Sequence, residues 1–210
     1  VLVAAACPAK AGETVLEWGC GVGVAALCLA ARTGADVTGV ERQAAYAALA
    51  RENGLDVVEA DLTALPPGLR AQSFDHVIAN PPYFGPGTAA QDAGREGALR
   101  EVTPLFAWGS VARARLRPKG WLTMLHMAER MPDVLAALDG FGSITVLPLA
   151  PRVGRVASRV IVRASKGGRG AFTLLPPLLI HEGATHAADG EDYSATFRAI
   201  LRDAAPLPIG

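Results

Sequence analysis

The chain has 210 residues, half of them hydrophobic, with 20 lysines and arginines balanced by 20 aspartates and glutamates. Such a chain can bury one sizeable core, so a single domain over residues 1–210 is expected, while its neutral charge offers no whole-chain argument for a nucleic-acid partner. No window approaches eighteen uninterrupted apolar residues, the start lacks a signal-peptide pattern, and three cysteines without C-x-x-C spacing argue against a disulfide framework or a zinc site; a cytoplasmic protein without metal is expected.

In chain order, the apolar run Thr14-Val15-Leu16 leads into Glu17-Trp18-Gly19-Cys20-Gly21-Val22-Gly23 and then into the apolar stretch 24–31. This reads as strand, glycine loop and buried helix, with Cys20 and Cys28 as small fillers. Glycines let backbone approach a ligand at the carboxyl end of a strand. The dinucleotide pattern G-x-G-x-x-G, aligned on Gly19 and Gly21, puts Val24 where its third glycine belongs and so fails by one residue. The spacing E-x-G-x-G-x-G resembles instead the first motif of S-adenosylmethionine-dependent methyltransferases of the Rossmann-like class, whose ligand has no pyrophosphate to seat on a helix N-terminus. Val37–Val40 reads as a second strand ended by Glu41, about 20 residues past the loop, where an acid can accept both ribose hydroxyls. Dinucleotide binders share that spacing. Asp61 closes a third run, 55–60, and in the class resembled an acid here accepts the amino group of the cofactor's adenine. Either acid could instead cap a helix.

The apolar run Phe74–Ala79 ends in Asn80-Pro81-Pro82-Tyr83. This tetrapeptide matches the one that methyltransferases acting on planar nitrogens place beside their cofactor. An exocyclic amine is a poor nucleophile because its lone pair is delocalised into the ring. The Asn80 side-chain oxygen and the Pro81 carbonyl can each accept one of its N–H groups, and Tyr83 can stack on the base. Both prolines stiffen the loop before substrate arrives. The plain alternative is a proline-rich turn.

Farther on, a helix is expected from Glu96 to Arg117, with Leu99, Val102, Leu105, Phe106, Val111 and Leu116 as apolar positions and Pro118-Lys119-Gly120 as its stop. Trp121–His126 reads as a fifth strand, 132–138 as a short helix, and Ile144–Leu149 with Arg159–Arg163 as two final strands. The connection 151–158 is too short and polar for a crossover helix, so this pair should be antiparallel. Phe172–Ile180, broken by Pro176-Pro177, reads as an extended edge segment, and Asp192–Asp203 as a terminal helix. Between Pro151 and Gly170 stand Arg152, Arg155, Arg159, Arg163, Lys166 and Arg169 with no acid. They make either a phosphate-binding patch or a solvated hairpin. His76, His126, His181 and His186 are dispersed, and none reads as catalytic.

Taken together, E-x-G-x-G-x-G, Asn80-Pro81-Pro82-Tyr83-Phe84, Arg95 with Ala98, the Leu116–Gly120 turn, Arg159-Val160-Ile161-Val162 leading to Pro177–His181, Tyr193-Ser194 and Ile200-Leu201 resemble the bacterial tRNA adenine N6-methyltransferases. The resemblance implies an α/β, Rossmann-like class I methyltransferase fold: a seven-stranded, mostly parallel sheet with one antiparallel strand and helices on both faces. It implies S-adenosylmethionine as cofactor and RNA, specifically tRNA near the anticodon, as partner. Carried over residue by residue, it assigns catalytic roles to Asn80, Pro81, Pro82 and Tyr83. Cofactor contacts fall to Glu17, Gly19, Cys20, Gly21, Gly23, Glu41, Arg42, Asp61, Leu62 and Asn80. Substrate contacts fall to Tyr83, Phe84, Arg95, Arg152, Arg155, Arg159 and Lys166. Two departures stand out: Val1 lies about a dozen residues before the first strand, where relatives carry a further covering segment, and Trp18 replaces a smaller residue. Rival readings are a ribosomal-RNA guanine-N2 methyltransferase, a release-factor glutamine methyltransferase, although residues 84–104 lack its Glu-Pro, and a non-catalytic RNA-binding module. An NAD-dependent dehydrogenase is disfavoured by Val24.

Overall fold

A computed structural model describes residues 1–83, 103–183, 185 and 192–209. The first half alternates strand and helix: α1 (Leu2–Ala6), β1 (Thr14–Trp18), α2 (Val24–Thr33), β2 (Asp36–Glu41), α3 (Ala44–Glu52), β3 (Asp56–Glu59), α4 (Pro67–Arg70) and β4 (Phe74–Ala79). There follow α5 (Leu105–Arg115), β5 (Leu116–Met127), α6 (Met131–Ala137), β6 (Phe141–Ala150), β7 (Arg159–Lys166), β8 (Thr173–Leu174), β9 (Leu178–Leu179) and α7 (Ala195–Asp203). The sheet runs β3-β2-β1-β4-β5-β7-β6-β8, with β9 also on β6. β1 to β5 are mutually parallel, whereas β7 is antiparallel to both neighbours, β5 and β6.

The strands carry apolar residues on both faces, as a sheet covered on both sides requires. Val15, Ile78, Leu125 and Ile161 pack with Val3 of α1, Leu29 of α2 and Phe197 and Ile200 of α7. Their neighbours in sequence, Leu16, Val77, Met124 and Val162, pack on the other face with Trp108 and Ala112 of α5 and Val134 of α6. Period-two alternation thus feeds two apolar layers, and each fully buried aliphatic side chain contributes roughly 1.5–3 kcal/mol.

The expected architecture holds, with two differences of detail. The segment expected as an extended edge forms β8 and β9, two-residue strands parallel to β6, which bring the sheet from seven strands to nine. The long helix ends at Arg115, so Leu116 and Arg117 belong to β5 (residues 96–102 lie outside the described residues). Pro118 biases Arg117 toward extended backbone, and Lys119 at φ 67° bulges the strand where its register against β4 shifts. Within α5 the buried positions are Leu105, Trp108, Gly109 and Ala112, and Phe106, expected on the apolar face, is 65% exposed.

Gly109 lets α5 approach the end of α6 closely. A Cβ there would lie 1.8 Å from the Ala137 carbonyl oxygen at the end of α6, a backbone atom that cannot swing aside. Gly109→Ala is therefore expected to destabilise the protein by about 1–3 kcal/mol, read as a lower urea midpoint at unchanged slope.

Candidate active site

Parallel pairing aligns the carboxyl ends of the first four strands: Trp18 stands beside Val40 and Ala79, and Glu41 beside Glu59. The residues that follow them meet along one edge. Gly19, Gly21 and Gly23 take φ values of 64°, 56° and 88°, a left-handed path closed to ordinary side chains, and Gly23 caps α2. The Gly23 amide donates to the Cys20 carbonyl (2.9 Å) and the Cys20 amide to the Val40 carbonyl (3.1 Å), which ties the loop to β2.

Glu17 acts from below this loop. It is buried, and its Oε2 accepts the Ala26 amide (2.8 Å) in the first turn of α2. Burial pushes its carboxyl up to about 8, against a smaller opposing pull from that bond. Cys20 also packs inward, its Sγ 2.7 Å from where a Cβ on Gly39 would stand. Burial, with Glu17 and Glu41 adding to it, pushes the Cys20 thiol up to about 12. Trp18 is fully buried, and its indole N–H has no acceptor among the described residues.

A cavity opens above the loop, lined by Gly19, Gly21, Glu41, Arg42, Asp61, Leu62 and Asn80 among the predicted positions. Glu17, Cys20 and Gly23 do not line it; they shape the loop from within. Both Glu41 oxygens are engaged, Oε2 by the Gly21 amide (2.9 Å) and Oε1 by the Gln43 amide (2.8 Å), which aims the carboxylate and leaves further lone pairs for a ligand. Asp61 Oδ1 accepts the Thr63 hydroxyl (2.6 Å) and amide (2.8 Å), and these two bonds hold its carboxyl below the usual range. Its other oxygen remains for the cavity. A Cβ on Gly21 would meet no protein atom within 4 Å and would intrude on this space. The donor set fits S-adenosylmethionine: two anchored carboxylates for an adenosine, and bare backbone where side chains would obstruct it.

At the mouth stands the tetrapeptide. Asn80 is exposed and lines the cavity, Pro81 is buried, and Tyr83 Oη donates to Asn80 Oδ1 (2.8 Å). Against Tyr83 lies His126, ring centroids 5.8 Å apart and planes at 79°. His126 is completely buried, and its Nδ1 accepts the Met127 amide (2.9 Å). Its position beside the tetrapeptide is a contact sequence reading missed, because only the β4–β5 register brings the two together. Trp108 and Thr103 were missed as well. The Trp108 ring comes within 3.0 Å of a Cβ position on Gly19, and its indole donates to the Thr103 carbonyl (3.3 Å). The spacing of Leu105, Trp108 and Ala112 was the available signal.

The predicted substrate contacts divide. Phe84 and Arg95 lie outside the described residues. Arg152, Arg155 and Arg159 stand at the tetrapeptide's end of the sheet, on the connection from β6 into β7. Lys166 is a correction: it ends the reversed strand β7 at the opposite edge, where its Nζ donates to the Leu116 carbonyl (2.6 Å). Among the described residues no helix is long and apolar enough to cross a membrane, and no His, Cys, Asp and Glu cluster is arranged to hold a metal.

A glycine loop, an anchored glutamate, a second acid and a proline-stiffened asparagine on one edge of this sheet define a Rossmann-like methyltransferase with S-adenosylmethionine as methyl donor. Residues 15–103 match the methyltransferase domain family. The chain is 28% identical to a tRNA1(Val) (adenine(37)-N6)-methyltransferase of Dickeya chrysanthemi over 97% of its own length and 84% of the relative's. It is 30% identical to the Haemophilus influenzae protein of that name, over 97% and 88% respectively. It belongs to this family, the tRNA1(Val) (adenine(37)-N6)-methyltransferases. Among solved structures, a predicted O-methyltransferase of Agrobacterium tumefaciens superposes with a TM-score of 0.80 at 26% identity, covering 99% of this chain and 97% of that one. TrmN from Thermus thermophilus shares the fold (TM-score 0.52, 23% identity, covering 75% of this chain and 45% of that one).

Glu17→Gln keeps an oxygen for the Ala26 amide and removes the titration. Because folding raises the Glu17 pKa from 4.5 to about 8, its contribution to stability is complete below 4.5 and fades as pH climbs toward 8. Wild type should therefore lose stability relative to Glu17→Gln across that window, by at most about 1.4 kcal/mol per pH unit, in urea titrations at stepped pH. A difference that does not vary with pH would contradict this role.

Proposed function

We propose that the chain methylates the exocyclic N6 of an adenine in RNA, in a tRNA near its anticodon, within a single domain spanning residues 1–210. The observation that carries this reading is the Tyr83–Asn80 hydrogen bond, which fixes the Asn80 amide oxygen at the mouth of the cofactor cavity. The named activity of the relatives supports it.

Tyr83 Oη uses one lone pair of Asn80 Oδ1 and leaves the other for an incoming N–H. The Pro81 carbonyl takes the second N–H. The paired acceptors draw the amine from its planar, ring-conjugated state, and the nitrogen lone pair becomes available toward the cavity. Tyr83 offers its face to the base, with His126 behind it limiting the ring's rotation. S-adenosylmethionine, when bound, supplies an electrophilic methyl whose bond to the sulfonium sulfur breaks on transfer, leaving a neutral thioether. Glu41, with Arg42 beside it, would hold the ribose, Asp61 and Leu62 would hold the adenine, and Gly19 and Gly21 would give room for the remainder. Once methylated, the nitrogen is strongly acidic, and its proton leaves to water beside Asn80 without a dedicated base. Catalysis then rests on positioning and on acceptors fixed in advance. The target base must leave its stack, which a loop permits more readily than a duplex.

Transfer of tritium from labelled S-adenosylmethionine to bulk tRNA, ribosomal RNA and release factor, followed by nucleoside analysis, tests the assignment. N6-methyladenosine from tRNA is expected. A label on guanine or glutamine transfers the site to one of the rivals, a methylated oxygen would match the description of the Agrobacterium protein, and no label anywhere leaves a binding module. Asn80→Ala should lower kcat at least about 100-fold while cofactor affinity by calorimetry changes only a few-fold.

A further inference from the structure

We infer that the β6–β7 hairpin, residues 151–158 with the first residue of β7, is a rigid docking surface for the RNA strand flanking the target base; this rests on the proposed RNA substrate. The hairpin is continuous with the tetrapeptide. Tyr83 touches His126, His126 pairs across strands with Val160, and Arg159 pairs with Met127, the last residue of β5. Two strand spacings, about 10 Å, separate β4 from β7, so a base seated at Tyr83 has its neighbouring nucleotides beside the hairpin.

Its surface chemistry suits single-stranded RNA. Residues 151–159 contain three arginines and no acid. Arg155 is exposed near the tip and Arg159 stands at its base, and a guanidinium fork matches phosphate oxygens. Between these arginines Val156 is 88% exposed, the most exposed large hydrophobic residue among those described, and Val153, between Arg152 and Arg155, is 58% exposed. An apolar side chain isolated among cations is a poor seed for a protein interface, where charges are depleted at the core. It fits against an unstacked base whose phosphates the arginines hold.

The hairpin is braced, which separates it from an idle loop. Ser158 donates to the Leu149 carbonyl (3.1 Å) and Ala128 to the Ser158 carbonyl (3.0 Å). Arg152 is bound to the Asp192 carboxylate and the Glu182 carbonyl, and Asp192 also engages His181 Nδ1 (2.6 Å), whose ring stacks on Tyr193 at 5.0 Å. Arg152, predicted as an RNA contact, is thus a positioning residue that fixes the tip relative to Tyr83.

The test uses an unmodified tRNA transcript and fluorescence anisotropy, which needs no methyl transfer. Arg155→Ala/Arg159→Ala should weaken binding about tenfold or more near 0.1 M salt and lower the slope of log affinity against log salt by between one and two, with cofactor affinity and melting temperature unchanged. Val156→Asp should weaken binding, and Arg152→Ala should weaken it and also increase proteolysis at the hairpin. Arg169→Ala, beyond the far end of β7, should leave the slope intact. Wild-type affinity and slope in the double variant would overturn the inference while the catalytic reading stands. Failure of wild type to bind the transcript would overturn both. Hairpin-dependent binding combined with a methylated nucleoside other than N6-methyladenosine would sink only the catalytic assignment.

Discussion

The bond from the Ala26 amide to the buried Glu17 carboxyl is the constraint on which the active edge depends. It joins the last turn of one strand to the first turn of the next helix across a loop that has almost no side chains to hold itself in place. With the Cys20 amide fastened to β2, the loop is located from two sides before any ligand arrives. The Gly21 amide can then aim Glu41, and the Trp108 ring can close over Gly19. Each contact is short-ranged, but each presupposes the one beneath it. A glutamine, which supplies the same oxygen, is the least disruptive replacement, and an alanine would leave a buried amide unsatisfied.

Cofactor cradle and acceptor pair sit at neighbouring strand ends, yet they are stabilised differently. The cradle is built from backbone geometry and buried polar bonds. The tetrapeptide sits on a short proline-stiffened segment with Asn80 exposed and Pro81 buried, held by one hydrogen bond and one ring contact. That division suits the chemistry, since the donor site is enclosed while the acceptor side must admit a base attached to a large polymer.

Sequence reading locates the cavity lining where it is encoded within a few residues of a strand end. The glycine loop, Glu41, Asp61 and Asn80 each follow an apolar run directly, and parallel pairing alone brings them together. It falters where side chains meet through tertiary packing. His126 and Trp108 reach the site from β5 and α5: helical spacing marks Trp108 as buried without saying against what, and nothing local to His126 announces its contact. Sequence proximity groups Lys166 with Arg155 and Arg159, but the eight-residue strand β7 carries it to the opposite edge. Glu17 was read as a ligand contact because its motif is contiguous, whereas its side chain points under the loop. The helix ended early for a local reason that was present in the sequence: a proline restrains the residue before it.

The insertion of β7 between β5 and β6 also sets a schedule for biosynthesis. β6 emerges from the ribosome before β7 but has no partner until β7 arrives, and β5 waits with an open, strongly apolar flank for the same event. Nascent chains halted before residue 166 would expose one open edge, on β5, and one unpaired strand, β6, the condition under which edges recruit one another between molecules. The late hairpin therefore decides when the β5 flank of this sheet closes.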